Sequence, residues 1–152
     1  MRKDEFVMRG QTPSTSGNNT EVLNFSGFKP GYAYRLIEFD LYASSALGTG
    51  VNELCGSITA GKTAINPTDP DFNDESLIAT SYTANNTNVG YSYADSVIND
   101  TFLITQNLIL MVEETSGNNY PVNWQCKFKP VKMGKAEEAV TNYKQFMISD
   151  GS

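Results

Sequence analysis

The strongest structural signal in the chain is the strict alternation of apolar and polar residues in Pro121-Val-Asn-Trp-Gln-Cys-Lys-Phe-Lys-Pro130. Successive side chains of a β-strand point to opposite faces, so this period of two predicts a half-buried strand. Its apolar face carries Val122, Trp124, Cys126 and Phe128, and its polar face carries only amides and lysines. Proline cannot donate to a β ladder, so we expect the two prolines to mark the ends of the strand.

Shorter apolar stretches separated by turn residues predict further strands. They cover residues 21–25, 32–42, 54–60, 76–83, 89–93, 102–104 and 107–112. In the second of these, Ile37, Phe39 and Leu41 are expected on one face, and Leu36, Glu38 and Asp40 on the other. The stretch 107–112 is apolar throughout, which is typical of a central or doubly buried strand. About seven or eight strands at this spacing predict an all-β fold, an antiparallel β-sandwich of jelly-roll type.

The length of 152 residues suits one domain with a single core. Residues 10–20 are polar and rich in glycine, serine and asparagine, which is typical of flexible chain. We therefore expect an N-terminal arm at 1–20, a β-sandwich domain at 21–133 and an amphipathic tail at 134–152. An ordered arm would have to lie on its own sheet or on a neighbour, because ordering costs about 1–2 kcal/mol per residue.

The tail has apolar residues at intervals of three and four, which favours a helix. They are Ala136, Ala139, Val140, Tyr143, Phe146 and Met147. Glu137 near the start and Lys144 near the end also suit the helix dipole. A final strand is the alternative, because Thr141 and Tyr143 have β propensity. Either structure leaves an apolar stripe that needs a surface to cover, on this chain or on a partner.

The charge distribution argues against several partners. The net charge is -6, the pI is near 4.5, and no run of Lys and Arg is present to neutralise phosphates. We therefore expect no direct nucleic-acid binding and no binding to a membrane surface. No stretch reaches the about 18 apolar residues of a membrane span, and the first residues lack the apolar core of a secretion signal.

The chain contains no histidine, which excludes His-based triads and His-ligated zinc. The two cysteines, Cys55 and Cys126, lie in apolar strand-like settings, so we interpret them as buried free thiols and not as a disulfide. Candidate carboxylate pairs for glycoside hydrolysis are Glu38 with Asp40 and Glu113 with Glu114. The first pair shares an exposed strand face and the second points in opposite directions. We expect no enzyme, no catalytic residue and no cofactor.

Gly56-Ser-Ile-Thr-Ala-Gly-Lys-Thr63 satisfies the phosphate-loop pattern G-x-x-x-x-G-K-[ST]. A true phosphate site needs a helix directly after this loop, whose free N–H groups hold the phosphates. Pro67 and Pro70 leave no room for that helix, so nucleotide binding is disfavoured.

The acidic loop at 69–75 resembles the opening of a calcium-binding loop, with Asp69, Asp71, Asn73 and Glu75 at alternate positions. The pattern then departs from the calcium loop, because Asp74 stands where glycine is required and Thr80 where a bidentate glutamate is required. A looser calcium site and a solvated acidic loop both stay open.

Several segments resemble short proteins of about this length that are encoded by environmental bacterial viruses. They are Phe28-Lys-Pro-Gly31, Tyr34-Arg-Leu-Ile-Glu-Phe39, Glu114-Thr-Ser-Gly117, Asn123-Trp124 and Glu137-Glu-Ala-Val140. The resemblance covers most residues after Glu21. It implies a small β-sandwich component of a virion, such as a capsid, vertex, cement or spike subunit. It implies no active-site residues.

The residues and the resemblance together predict a structural subunit of a bacteriophage particle. We expect it to form homo-oligomers and to contact other virion proteins through its arm, strand edges and tail. The alternative is a carbohydrate-binding β-sandwich module, in which Tyr91 and Tyr93 stack on sugar rings. Cross-strand packing is the ordinary role for two such tyrosines.

Overall fold

The computed structural model describes residues 5–13, 18–25, 31–45, 50–61, 63–86 and 90–151. Within these residues the chain forms eight strands followed by one helix. They are β1 Phe6–Gln11, β2 Asn18–Leu23, β3 Tyr32–Ala43, β4 Val51–Ala60, β5 Leu77–Asn86, β6 Tyr91–Ile98, β7 Leu108–Glu114, β8 Val122–Lys132 and α1 Lys135–Gly151. The helix confirms the helical interpretation of the tail.

The strands form two antiparallel sheets, ordered β1-β8-β3 and β2-β7-β4-β5-β6. The pairs β1 with β8, β2 with β7 and β4 with β5 nest inside one another along the chain, as in a jelly roll. Strand β6 pairs with β5 in the five-stranded sheet. The hydroxyl of Ser96 in β6 also donates to the Phe39 carbonyl of β3, in the other sheet, at 2.7 Å. The prediction of an all-β sandwich is confirmed.

The core lies between the two sheets and takes its largest side chains from β3, β4, β7 and β8. Among them Phe39, Leu54, Leu110 and Phe128 are buried almost completely. Strand β7 lies between β2 and β4, so the apolar stretch at 107–112 is a central strand, as predicted. Gly56 of β4 sits where an added Cβ would lie 3.0 Å from the Phe39 ring, so its missing side chain permits the close crossing of the sheets.

Strand β8 has the predicted alternation, with Val122, Trp124, Cys126 and Phe128 all buried. It nevertheless continues beyond its second proline to Lys132, so the prediction that Pro130 ends the strand is wrong.

Hydrogen bonding explains how proline fits inside β8. Tyr34 stands opposite Pro130, and its N–H and C=O bond to Ile104 at 2.9 and 2.8 Å, on the side away from β8. Tyr34 and Pro130 are therefore a non-hydrogen-bonded pair, and the nitrogen of Pro130 points toward the β1 side. Strand β1 begins only at Phe6, opposite Phe128, so the missing N–H costs no ladder bond.

The segments described within 1–20, where we expected an arm, are ordered and lie on the sheets of the chain itself, which is one of the two places expected for an ordered arm. Strand β1 pairs with β8, and β2 begins at Asn18 and pairs with β7. The Phe6 ring stacks on Phe128 with centroids 5.4 Å apart, and Met8 also packs against the core. Apolar packing and two β ladders offset the entropy of ordering this segment. Residues 1–4 and 14–17 lie outside the described part.

The facing of β3 also differs from the prediction. The register with β8 shifts between Leu36 and Glu38, which makes Ile37 the extra residue of a β-bulge. Leu36 is therefore buried with Phe39, while Ile37 is only half-buried. The prediction that Ile37 faces the core and Leu36 faces outward is wrong, because a bulge reverses the alternation on one side of it.

The packing of β1 can be tested at Gly10, where an added Cβ would lie 2.9 Å from Cζ2 of Trp124. We expect Gly10→Ala to lower the free energy of unfolding by about 1–3 kcal/mol, because the indole is held in a packed core. Chemical denaturation measures the change. Gly134→Ala is the control, because its Cβ would meet nothing within 4 Å. Equal and small effects of both substitutions would contradict the placement of β1 on Trp124.

Candidate binding surfaces

The phosphate-loop pattern falls on a strand and not on a phosphate-binding loop. Its first residues, from Gly56, belong to β4, and Lys62 lies outside the described residues. The following loop folds back on β4, where the Ser57 hydroxyl donates to the Ile65 carbonyl at 2.5 Å and the Ile65 N–H donates to Thr59 at 3.3 Å. Residues 63–76 contain turns and no helix. The helix N-terminus that would hold a phosphate is therefore missing from this stretch.

The acidic loop uses its carboxylates to close its own turns. Asp71 accepts from the N–H of Asn73 at 2.9 Å, and Asp74 accepts from the N–H and hydroxyl of Ser76 at 2.9 and 2.7 Å. The hydrogen bond from the Ser76 hydroxyl, and to a smaller extent the one from the Ser76 N–H, lower the pKa of Asp74. In the part of the chain that the structure describes, no three acidic or cysteine side chains come together as metal ligands. The loop is a series of Asx turns.

The interpretation of the two cysteines as buried free thiols is confirmed. Burial, together with the charge of Glu113, raises the pKa of the Cys55 thiol from 9.0 to about 12. Burial and then the charge of Asp40 raise the pKa of Cys126 as well. The thiolate is the nucleophilic form, so we expect both cysteines to be unreactive at neutral pH in the folded protein.

The two carboxylate pairs are placed as predicted, the first on one exposed strand face and the second on opposite faces. Glu38 and Asp40 are exposed on β3, whereas Glu114 is buried and accepts from the N–H of Ser116 at 2.6 Å. Glu113, the next residue in β7, faces the other side of its sheet. Glu114 therefore stabilises the turn after β7.

Tyr93 packs across strands on the outer face of the five-stranded sheet. Its ring centroid lies 5.6 Å from that of Tyr82 at a tilt of 55°. Tyr93 stands opposite Ala84, two residues from Tyr82, so the contact is a diagonal cross-strand pair. The side chain of Tyr91 is outside the described ones. This contact is cross-strand packing, the ordinary role for such a tyrosine.

A groove of about 620 Å³ crosses the outer face of the three-stranded sheet. The strand register puts two rows of outward side chains beside it, Arg9–Gln125–Asp40 and Gln11–Asn123–Tyr42. Gly10 and Trp124 lie between these rows and also line the groove. The Trp124 side chain alternates to the inner face and Gly10 has no side chain, so we expect both residues to contribute backbone to the floor of the groove.

The groove offers hydrogen-bonding groups of both kinds beside an exposed ring. Arg9 donates to the amide oxygen of Gln125, and Gln11 donates to Asn123 at 2.9 Å. Tyr42 is 64% exposed at the end of its row. Sequence reasoning missed this groove because it joins three strands that are far apart in the chain. The available signal was the polar face of β8, where Asn123 and Gln125 alternate with the core residues.

The helix α1 attaches to the sandwich through Gln145, which is 3% exposed. Its amide group donates to the Leu103 carbonyl and accepts from the N–H of Thr105 at 3.0 Å. At 3.6 residues per turn, the opposite side of the helix points away from the sandwich.

The opposite side carries the apolar residues that sequence analysis expected to be covered. Val140, Tyr143 and Met147 are 68%, 66% and 51% exposed, and Ala136 is exposed in line with them. We call these four residues the α1 stripe. The hydrogen bonds of Gln145 orient α1 so that the stripe faces solvent.

No protein-family model matches the chain, and a comparison with curated proteins finds no match. Over the residues that the structure describes, no helix has the length and hydropathy needed to cross a membrane.

The inertness of the thiols can be tested by alkylation of the folded protein near pH 8. We expect neither Cys55 nor Cys126 to react with iodoacetamide within hours, and both to react when urea unfolds the chain. Mass spectrometry of peptides identifies the modified residue. Rapid reaction of Cys55 in the folded protein would contradict a thiol with a pKa of about 12.

The raised pKa of the Cys55 thiol also determines how the stability of the fold changes at alkaline pH. The unfolded thiol ionises near its ordinary value and the folded thiol does not, so its contribution to stability is complete below about pH 9 and falls as the pH rises toward 12.

Proposed function

We propose that the chain is a structural subunit of a virus particle, such as a capsid, vertex, cement or spike component. It assembles with copies of itself and with other virion proteins. The observation that carries the proposal is the α1 stripe, an exposed apolar surface that lies outside the core cluster of the described residues. Exposed apolar patches of this kind mark sites of protein association.

The sandwich offers further contacts at its strand edges. Strands β2 and β6 are the outer strands of the five-stranded sheet, and each exposes a valine, Val22 and Val97. Unpaired strand edges accept a strand from a neighbouring molecule. Because β1 and β2 pair within the two sheets, the proposal places the contacts of the assembly at α1 and at the strand edges.

The resemblance to small virion proteins of environmental bacterial viruses supports the same proposal. The jelly-roll fold does not by itself identify the function, because one fold serves many functions. The inert thiols and the self-bonded acidic loop are compatible with a structural role.

The proposal predicts that the purified full-length protein assembles. We expect electron microscopy to show rings, shells or fibres, because exposed apolar surface drives association. Mass spectrometry of particles purified from a virus that encodes the chain should find it in stoichiometric amounts. A protein that stays monomeric at every concentration and is missing from the particles would overturn the proposal.

A second candidate function, carbohydrate binding, is favoured by the groove on the three-stranded sheet. Planar amide groups and the carboxylate of Asp40 can pair with vicinal hydroxyls, and the exposed ring of Tyr42 can stack on the apolar face of a sugar. This site differs from the one first considered at Tyr91 and Tyr93.

The two candidates are separated by a glycan array. If the groove binds sugars, Tyr42→Ala should weaken binding by about tenfold or more, because the stacking contact is lost. Tyr93→Ala is the matched control, since Tyr93 is a similarly exposed tyrosine on the other sheet. Equal loss in both variants, or no binding by the parent protein, would rule out the groove.

A further inference from the structure

The residues of the α1 stripe have a spacing that reads the same in both directions. Ala136, Val140, Tyr143 and Met147 are four, three and four residues apart. Two such helices can therefore lie antiparallel about a twofold axis with their stripes in register. Val140 then meets Tyr143 of the second copy, and Ala136 meets Met147 of the second copy. The small residue faces the long one, which lets the layers interdigitate.

The charges beside the stripe are complementary in this arrangement. Glu137 and Lys144 are both exposed and stand seven residues apart, so they flank the same side of the stripe. The twofold axis brings Glu137 of each copy near Lys144 of the other, which gives two opposite-charge pairs. In a parallel arrangement Glu137 and Lys144 would instead face the other flank of the second copy, which includes the uncharged Ala139 and, toward the end of the helix, Asp150, so the Glu137–Lys144 pairs would not form. Flanking charges set the partner and orientation of paired helices.

The surroundings leave the stripe accessible. The bonds of Gln145 to Leu103 and Thr105 hold the opposite side of α1 on the sandwich. Val140 and Lys144 also line a hollow beside Phe102. Val140, Tyr143 and Met147 are nevertheless more than half exposed, so a second helix can reach them. The seam covers only about three turns, which places it below the about 1,200 Å² of stable interfaces. It therefore forms a reversible contact that other contacts of the assembly reinforce.

We propose that α1 is a self-association site, on which a second copy of this chain docks its own α1 antiparallel through the stripe. The inference rests on the proposed function, because it supplies one of the contacts that a homo-oligomeric subunit needs. It also names the geometry of that contact, which the proposed function leaves open.

Charge reversal in the full-length protein tests the proposal. Glu137→Lys or Lys144→Glu alone places like charges at both ends of the seam, so each should weaken dimerisation by about tenfold. The double variant exchanges the two charges and should restore the dimer. Analytical ultracentrifugation measures the dissociation constants, and circular dichroism checks that α1 still forms. Glu75→Lys in the exposed acidic loop is the control, because it makes the same charge change away from α1.

The orientation is tested by cross-linking two single-cysteine additions, Val140→Cys and Tyr143→Cys. The antiparallel seam predicts a disulfide between the two variants when they are mixed, and little within either variant alone. The native thiols are buried and do not interfere. Disulfides within each variant alone, or a double charge reversal that fails to restore the dimer, would overturn the antiparallel pairing.

The failure of this inference is distinguishable from the failure of the proposed function. If the α1 variants associate as the parent does while electron microscopy still shows assemblies, the self-association site is wrong and the structural role stands. If the parent forms no assembly under any condition and is missing from virus particles, the structural role fails as well.

Discussion

The burial of one face of β8 organises the molecule. This strand is the centre of its sheet, so it bonds to β1 on one side and to β3 on the other. Its four inward side chains meet the core from β4 and β7, and Phe128 also joins the aromatic contacts of Phe6 and Phe25. A slip of one residue would turn all of these side chains to the solvent. The register of three strands is therefore set by one hydrophobic face.

That constraint explains which parts of the fold could be predicted from the sequence. The alternation of β8 is local, and so is the three- and four-residue spacing of α1, and both predictions are confirmed. Strand β1 was missed because its inward positions are Phe6, Met8 and a glycine, which form too short a pattern beside polar chain. The bulge at Ile37 depends on how β3 matches β8, which no single stretch contains. Pro130 is tolerated inside β8 because β1 begins opposite Phe128, two residues before the proline. The pairing of the strands in the sheet decides this as well.

The candidate binding surfaces were harder to predict for the same reason. The groove combines side chains from β1, β3 and β8, and only the register of the folded sheet brings them into two rows. The α1 stripe could be read from the sequence, but not the direction in which it faces. A buried glutamine decides that direction, because its amide completes the hydrogen bonds of Leu103 and Thr105. The sequence left open whether the stripe covers this chain or a partner, and the polar contacts of Gln145 place it on the exposed side of α1.

The composition adds a constraint on how any assembly of this chain is controlled. Without histidine, the chain lacks the side chain that ordinarily changes charge near neutral pH. The thiols are held neutral by burial, so they do not supply that change either. Its surface charges, including Glu137 and Lys144, are screened by salt within about 8–10 Å at physiological ionic strength. We therefore expect any association through the proposed surfaces to respond to concentration and salt, and no imidazole in this chain provides a pH switch.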